Sequence, residues 1–271
     1  MLKFYEQDHK YESIVPDGIN WLGVTTLVGA LKEKFNAAEQ APKSSKNSKS
    51  KWYKIPVEEI LQAWENEGKR ATELGHWYHN KRELELLQKS TVQGIPVIKS
   101  VIQDGVKIAP DQRLKEGIYP EHLVYLQSAG LCGQSDIVEV IGDKINIRDF
   151  KTSKEINLRS YENWEGVRKK MLKPLQHLED CHIVHYSLQL SIYMYIILRH
   201  NPHLITGTMT IDHIKFVKAG EDKYGYPLYH LGDGEPIIES IESIEVPYLK
   251  NEVILLLNYI KEPHIRATIK K

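Results

Sequence analysis

A chain of 271 residues, 41% hydrophobic and 27% charged, can bury a core and suits one large domain or a core with a smaller lobe. Its 36 basic side chains balance 36 acidic ones, so a surface for a polyanion must come from local segregation of charge. The two cysteines, Cys132 and Cys181, cannot form a four-thiolate metal site or a disulfide framework, and no apolar run approaches a membrane span.

The opening MLKFYEQDHKYE lacks the apolar core of a secretory signal, which with the cysteine usage leads to the expectation of a cytoplasmic protein with no membrane partner. Residues 1–56 read as an N-terminal extension, with a strand-like GVTTLV and then APKSSKNSKSKWYK. That stretch holds Lys43, Lys46, Lys49, Lys51 and Lys54 and no acid. It fits a solvated, disordered loop. It also fits a mobile basic arm in which Lys46, Lys49 and Lys51 touch phosphates and Trp52 and Tyr53 stack on bases.

From 57 to about 89 the pattern is helical, preceded by Pro56, with Gly68 and Gly75 as points where it can break. A loop rich in Gly and Pro follows, then three strand-like runs, EHLVYLQSA, GQSDIVEVI and KINIRDFKT. A long connection bearing Arg168, Lys169, Lys170 and Lys173 leads to a helix over about 184–199 and a strand, TGTMTIDHIKFV. Residues 217–271 add strand-like pieces and a closing helix over about 248–261. Strands bracketed by helices predict an α/β (α+β) layer with its core in 57–216.

Gly142-Asp143 between two alternating runs predicts a two-residue hairpin turn, which fixes the register. Val140 then faces Ile145, Val138 faces Ile147, and Asp136 faces Asp149, all on one side with Lys151. On the other side Glu139 lies opposite Asn146 and diagonal to Arg148, a solvated pairing. Directly opposed residues have Cβ atoms ~5 Å apart, and like charges there repel. Two inward carboxylates at the end of an apolar stripe need a cation or a shared proton. Lys151 can neutralise one; a divalent ion neutralises both, and oxygen ligands suit Mg²⁺ or Mn²⁺. The plainer reading is an ion-pair cluster of two aspartates and a lysine.

Asp136 followed by Asp149-Phe150-Lys151 across a hairpin resembles the PD-(D/E)XK nuclease superfamily. GHWYHNKRE, with Gly75, His79 and Glu83, is similar to the histidine motif of its RecB-like exonuclease branch. PEHLVYLQSAGLCGQSDIV, with Glu121, resembles that branch's strand pair, and LQLSIYMY supplies Gln189 and Tyr193 of a QxxxY helix. The likeness covers roughly residues 70–216 and extends, through HKY and VTT, to viral and mitochondrial genome-maintenance exonucleases. It implies a restriction-endonuclease-like core with a central mixed β-sheet flanked by helices. It implies metal ligation by Asp136, Asp149, the Phe150 carbonyl and His79, supported by Glu83 and Glu121. Lys151 would orient or help deprotonate the attacking water and stabilise charge on the phosphate, and Gln189 and Tyr193 would shape the site. The substrate would be DNA, single-stranded or with free ends, guided by the lysine-rich stretch and by Arg168, Lys169 and Lys170.

Without the motif, His79, Gln189 and Tyr193 read as structural, as do Asp212-His213. The iron–sulfur clasp of some relatives lacks its cysteines here, and no GxxxxGK[ST] loop offers an ATP site. The expectation is therefore a DNA exonuclease of replication, recombination or repair. Its alternatives are a structure-specific endonuclease, an RNA-acting nuclease, or a non-catalytic binding or assembly protein.

Overall fold

The β-branched runs and the long stretches of good helix formers sort into strands and helices as their periodicities require. The structure, a computed structural model, describes residues 2–6, 8, 10–109 and 111–269. In chain order it has β1 (Leu2–Tyr5), β2 (Lys10–Ser13), β3 (Leu22–Gly23), α1 (Val24–Gly29), α2 (Ala37–Lys46) and α3 (Val57–Leu87). The hairpins β4 (Thr91–Val92) with β5 (Ile95–Pro96) and β6 (Val101–Gln103) with β7 (Val106–Ala109) follow. Then come β8 (Gly117–Leu126), β9 (Leu131–Ile141), β10 (Lys144–Lys151), α4 (His182–His200) and β11 (Ile205–Phe216). Beyond them lie β12 (Lys218–Glu221), β13 (Pro227–Tyr229), β14 (Leu231–Gly232), β15 (Glu235–Pro236), β16 (Ile238–Glu245), α5 (Lys250–Tyr259) and α6 (Pro263–Ile269).

The fold is mixed α+β, with a central six-stranded mixed sheet in the order β16-β11-β10-β9-β3 and β8 also paired to β9. The β9–β10 hairpin turns at Gly142, whose φ of +60° suits the first central position of a two-residue turn. Its register is the predicted one, with Val140 opposite Ile145 and Val138 opposite Ile147. β10 and β11 run parallel, as a helical crossover through α4 allows. A four-stranded sheet, β2-β1-β7-β6, stands beside this one.

Side-chain alternation divides the core in two. Val138, Val140, Ile145 and Ile147 pack with Leu188, Ile192 and Ile196 of α4. On the opposite face Ile118, Ile137, Phe150, Ile214 and Phe216 pack with Tyr78 and Leu86 of α3. Each fully buried aliphatic side chain contributes about 1.5–3 kcal/mol, so the strand carrying the aspartates is held from both sides.

Four expectations are corrected. GVTTLV is not a strand: only Leu22–Gly23 pairs with β9, and Val24, Leu27 and Val28 bury a helical stripe. Gly68 and Gly75 do not break α3, which runs unbroken for 31 residues. The lysine-rich stretch is not a disordered loop, since α2 opens with the Asn36 side chain accepting the Glu39 amide and closes with basic residues in its last turn. Trp52 is buried, 5.1 Å from the Tyr224 ring and 6.0 Å from Trp64, so it cannot stack on bases.

Candidate metal centre

The site arises where β9 changes partners. Along one edge β8 pairs with β9 from Leu131 to Val140. Along the other, β10 pairs as far as the Arg148–Ile137 step, and β3 takes Leu131 and Cys132. Residues 133–136 of β9 thus have no ladder partner on that side among the described residues, and Asp136 sits in the notch. Glu121 falls across from Asp136 on the β8 side, between the pairs Pro120–Ile137 and His122–Ser135. Asp149 falls across from it on the other side, one step past the last β9–β10 pair. Three carboxylates therefore form a row across three strands.

The notch rearranges the backbone bonding. With the ladder ended, the Phe150 amide donates to Asp136 Oδ2 at 2.6 Å. Glu121 holds a φ of +46° in mid-strand, a left-handed conformation that costs a non-glycine residue about 1–3 kcal/mol and tends to cluster at functional sites. Its carboxylate accepts the Gln134 side-chain amide at 2.5 Å. From α3, His79 reaches over with Nδ1 3.5 Å from Asp136 Oδ2 and 3.6 Å from Glu121 Oε1. One ligand atom from each of His79, Glu121 and Asp136 lies within 4.8 Å of the others.

Asp149 is buried beside this trio. Its Oδ1 accepts from Gln189 Nε2 at 3.1 Å, and its Oδ2 is in ion contact with the Lys151 ammonium but accepts no hydrogen bond of sound geometry. Lys151 Nζ lies 4.9 Å from the Tyr186 ring centroid. Tyr193, one helical turn beyond Gln189, is buried against Gly133, where a Cβ would come within 2.7 Å of the tyrosine ring. That contact explains the glycine three residues before Asp136.

The electrostatics follow from crowding. Burial, then the neighbouring Asp149, pushes Asp136 up to about 8, against the opposing pull of His79. For His79 burial works against the proton, but Asp136 and Glu121 outweigh it and raise the imidazole to about 9. Lys151 is likewise raised, because Asp149 and Asp136 overcome the cost of its burial. Two basic side chains thus face three carboxyl groups. Two carboxylates and one imidazole brought within 4.8 Å of one another, with an aspartate forced toward protonation, fit a divalent ion, and the oxygen-rich set suits Mg²⁺ or Mn²⁺.

The structure brings together His79, Glu121, Asp136, Asp149, Lys151, Gln189 and Tyr193. Glu83 pairs with Lys107 at 3.2 Å and meets Glu121 as a neighbouring charge. Phe150 buries its ring in the opposite core, leaving only its backbone near the site. Glu121, expected as support, is part of the tightest cluster, whereas Asp149 is occupied by Lys151 and Gln189. No periodicity marks Glu121; the signal was the β8–β9 register, in which it and Asp136 are equidistant from the connecting turn. Arg148 pairs with Asp212 at 2.9 Å instead of Glu139.

The basic candidates are more committed than their sequence suggests. Lys51 donates to the Tyr224 carbonyl at 2.7 Å and lies over the Tyr226 ring. Arg168 pairs with Glu162 at 2.7 Å, and Lys169 with Asp180 at 3.0 Å. Lys170 bridges Glu179 through its backbone. Lys46 and Lys49 are exposed.

No protein-family model matches the chain, and no curated protein matches it. Among solved structures it is similar to the crystal structure of SSO0001, with 13% identity, a TM-score of 0.31, and coverage of 89% of this chain and 75% of that one. A likeness at that level carries no argument about function.

Proposed function

We propose that the chain is a metal-dependent nuclease of the PD-(D/E)XK type, built on a restriction-endonuclease-like core, that hydrolyses phosphodiester bonds in DNA. One observation carries the reading: Glu121, Asp136 and Asp149 line up across three strands where the β9–β10 ladder stops, with His79 on one side and Lys151 on the other. His79, Glu121 and Asp136 would hold the ion, with Asp149 adjoining. A divalent ion bound there polarises a phosphoryl oxygen and lowers the pKa of a bound water.

The chain's own groups supply the rest. Lys151, held beside Asp149, would stabilise negative charge gathering on the phosphate and orient or help deprotonate the attacking water. Gln189 fixes the Asp149 carboxylate through Oδ1. Tyr193, wedged on Gly133, holds α4 against β9 so that Gln189 keeps its place. His79 ties α3 to the sheet and covers one flank of the cluster, which narrows the approach and favours a frayed or single strand over intact duplex. We therefore read the enzyme as an exonuclease.

The test is an assay on linear and covalently closed DNA, single- and double-stranded, with Mg²⁺, Mn²⁺ or chelator. Metal-dependent loss of linear DNA with closed circles spared is expected. Closed duplex circles cut as fast as linear DNA would make it an endonuclease, and a failure to cleave any substrate with either metal would remove the hydrolytic reading.

A further inference from the structure

Between Lys151 and α4 the chain makes a compact excursion that the hydrolytic site does not use. Tyr161 to Asn163 run antiparallel to Val167 to Lys169, with the Lys169 amide on the Tyr161 carbonyl at 2.9 Å and the Asn163 amide on the Val167 carbonyl at 3.0 Å. Glu162 bridges Arg168, and a second bridge joins Lys170 to Glu179. At the tip, Asn163 Oδ1 accepts the amides of Glu165 and Val167 at 3.0 and 2.9 Å, and Gly166 takes a φ of +77°. These bonds satisfy the turn's own amides and leave Trp164 pointing outward, 91% exposed. Tyr161 is 75% exposed, and Leu158, Val167 and Leu172 are exposed on the same segment. Scattered apolar residues on a surface need no explanation, but a bonded turn that holds a bare indole among four other exposed apolar side chains does.

The root of this excursion is at the site. The Asn157 amide donates to His182 Nδ1 at 3.2 Å, and the Ile183 amide donates to the Asn157 carbonyl at 3.2 Å. The His182 ring stacks on Tyr186, whose own ring lies under the Lys151 ammonium. From Asn157 to Trp164 is no more than about 25 Å even fully extended. Of the seven basic residues from Lys151 to Lys173, five are paired with acids, and Lys170 and Lys173 stay exposed. An exposed aromatic face with Lys170 and Lys173 on the same segment, which leaves the sheet at Lys151, matches the way unpaired bases are held: stacking is tolerant of sequence, and free lysines can follow the backbone.

We infer that the hairpin tip at Trp164 is a stacking platform for the unpaired bases of a nucleic-acid strand whose phosphate lies at the Lys151 site. The inference rests on the nuclease reading for its occupant, yet it concerns binding and is separable from cleavage. In a paired duplex the base faces are covered by their neighbours, so the platform selects single-stranded ends.

The test follows tryptophan emission as oligothymidylate is added in the presence of chelator, for the parent, Trp164→Ala and Trp164→Phe, with a blunt duplex in parallel. Of the five tryptophans, Trp164 is the one left bare. Oligothymidylate should quench the parent, and Trp164→Ala should lose that quenching and bind the strand on the order of tenfold more weakly. Trp164→Phe should recover most of the affinity without the emission change, and blunt duplex should bind all three alike. Equal oligothymidylate affinity for the parent and Trp164→Ala would overturn the inference and leave the nuclease reading standing. A Trp164→Ala protein that changes its sedimentation but not its strand affinity would also overturn it, by assigning the patch to a second copy of the chain. Trp164-dependent binding by a parent that cleaves nothing would uphold the platform while removing the hydrolase.

Discussion

Asp136 and His79 set how the cluster responds to pH. In the unfolded chain they release protons near 3.8 and 6.5; folded, they hold them to about 8 and about 9. The folded state therefore binds more protons across the interval between those values, and stability falls as pH rises. Both contributions are complete below the unfolded values and gone once pH has passed 8 to 9. The metal-free protein should melt at progressively lower temperature from pH 6.5 to 9. A divalent ion must displace both protons, so the rise in melting temperature given by Mn²⁺ should grow over the same window. Asp136→Asn should flatten the pH dependence of the metal-free protein and abolish the Mn²⁺ increment. A melting temperature that stays level or climbs with pH in chelator would contradict this account of the cluster. At this scale the sequence was legible where neighbours are close in the chain: a two-residue turn was enough to set Asp136 near Asp149. Glu121 needed the pairing of β8 with β9 and a left-handed backbone at one residue, neither of which composition or alternation carries.

Elements were read well where one period dominated and poorly where distant contacts decided. The strands from 131 to 151 and the helix of Gln189 and Tyr193 fell within a few residues of their expected bounds. GVTTLV has strand propensity, yet burial of Val24, Leu27 and Val28 turns it into a helix; the gain from packing outweighs a weak local preference. The lysine-rich stretch is ordered because Trp52 finds Tyr224 and Tyr226, aromatics from the other end of the chain that no local window sees.

The glycines of two elements separate helix propensity from packing. Gly68 lies exposed within α3, with nothing near the place of a Cβ, so Gly68→Ala should stabilise the protein by about 0.5–1 kcal/mol in chemical denaturation. Gly133→Ala should do the reverse: the new methyl meets a fully buried Tyr193 that has no room to retreat, at a cost of about 1–3 kcal/mol. If Gly133→Ala proved neutral in stability, Tyr193 would not be the wedge that seats Gln189.

For the whole molecule, the central sheet draws β3 from before residue 57 and β16 from after residue 216, so the expected core of 57–216 does not complete it alone. Among the described residues no helix is long and apolar enough to cross a membrane. The basic residues singled out in the sequence are in part tied to acids or aromatics, which leaves Lys46 and Lys49 and the Trp164 hairpin as the more open surfaces for a strand. The central claim is that the chain hydrolyses DNA through the carboxylate row and Lys151, and single-turnover cleavage of a linear DNA by the parent and Lys151→Ala tests it most directly. The parent should cleave with Mg²⁺ or Mn²⁺ and stop with chelator, while Lys151→Ala, folded and still stabilised by Mn²⁺, should be slowed at least a hundredfold, about 2.7 kcal/mol of lost transition-state stabilisation. Undiminished cleavage by Lys151→Ala would contradict the account.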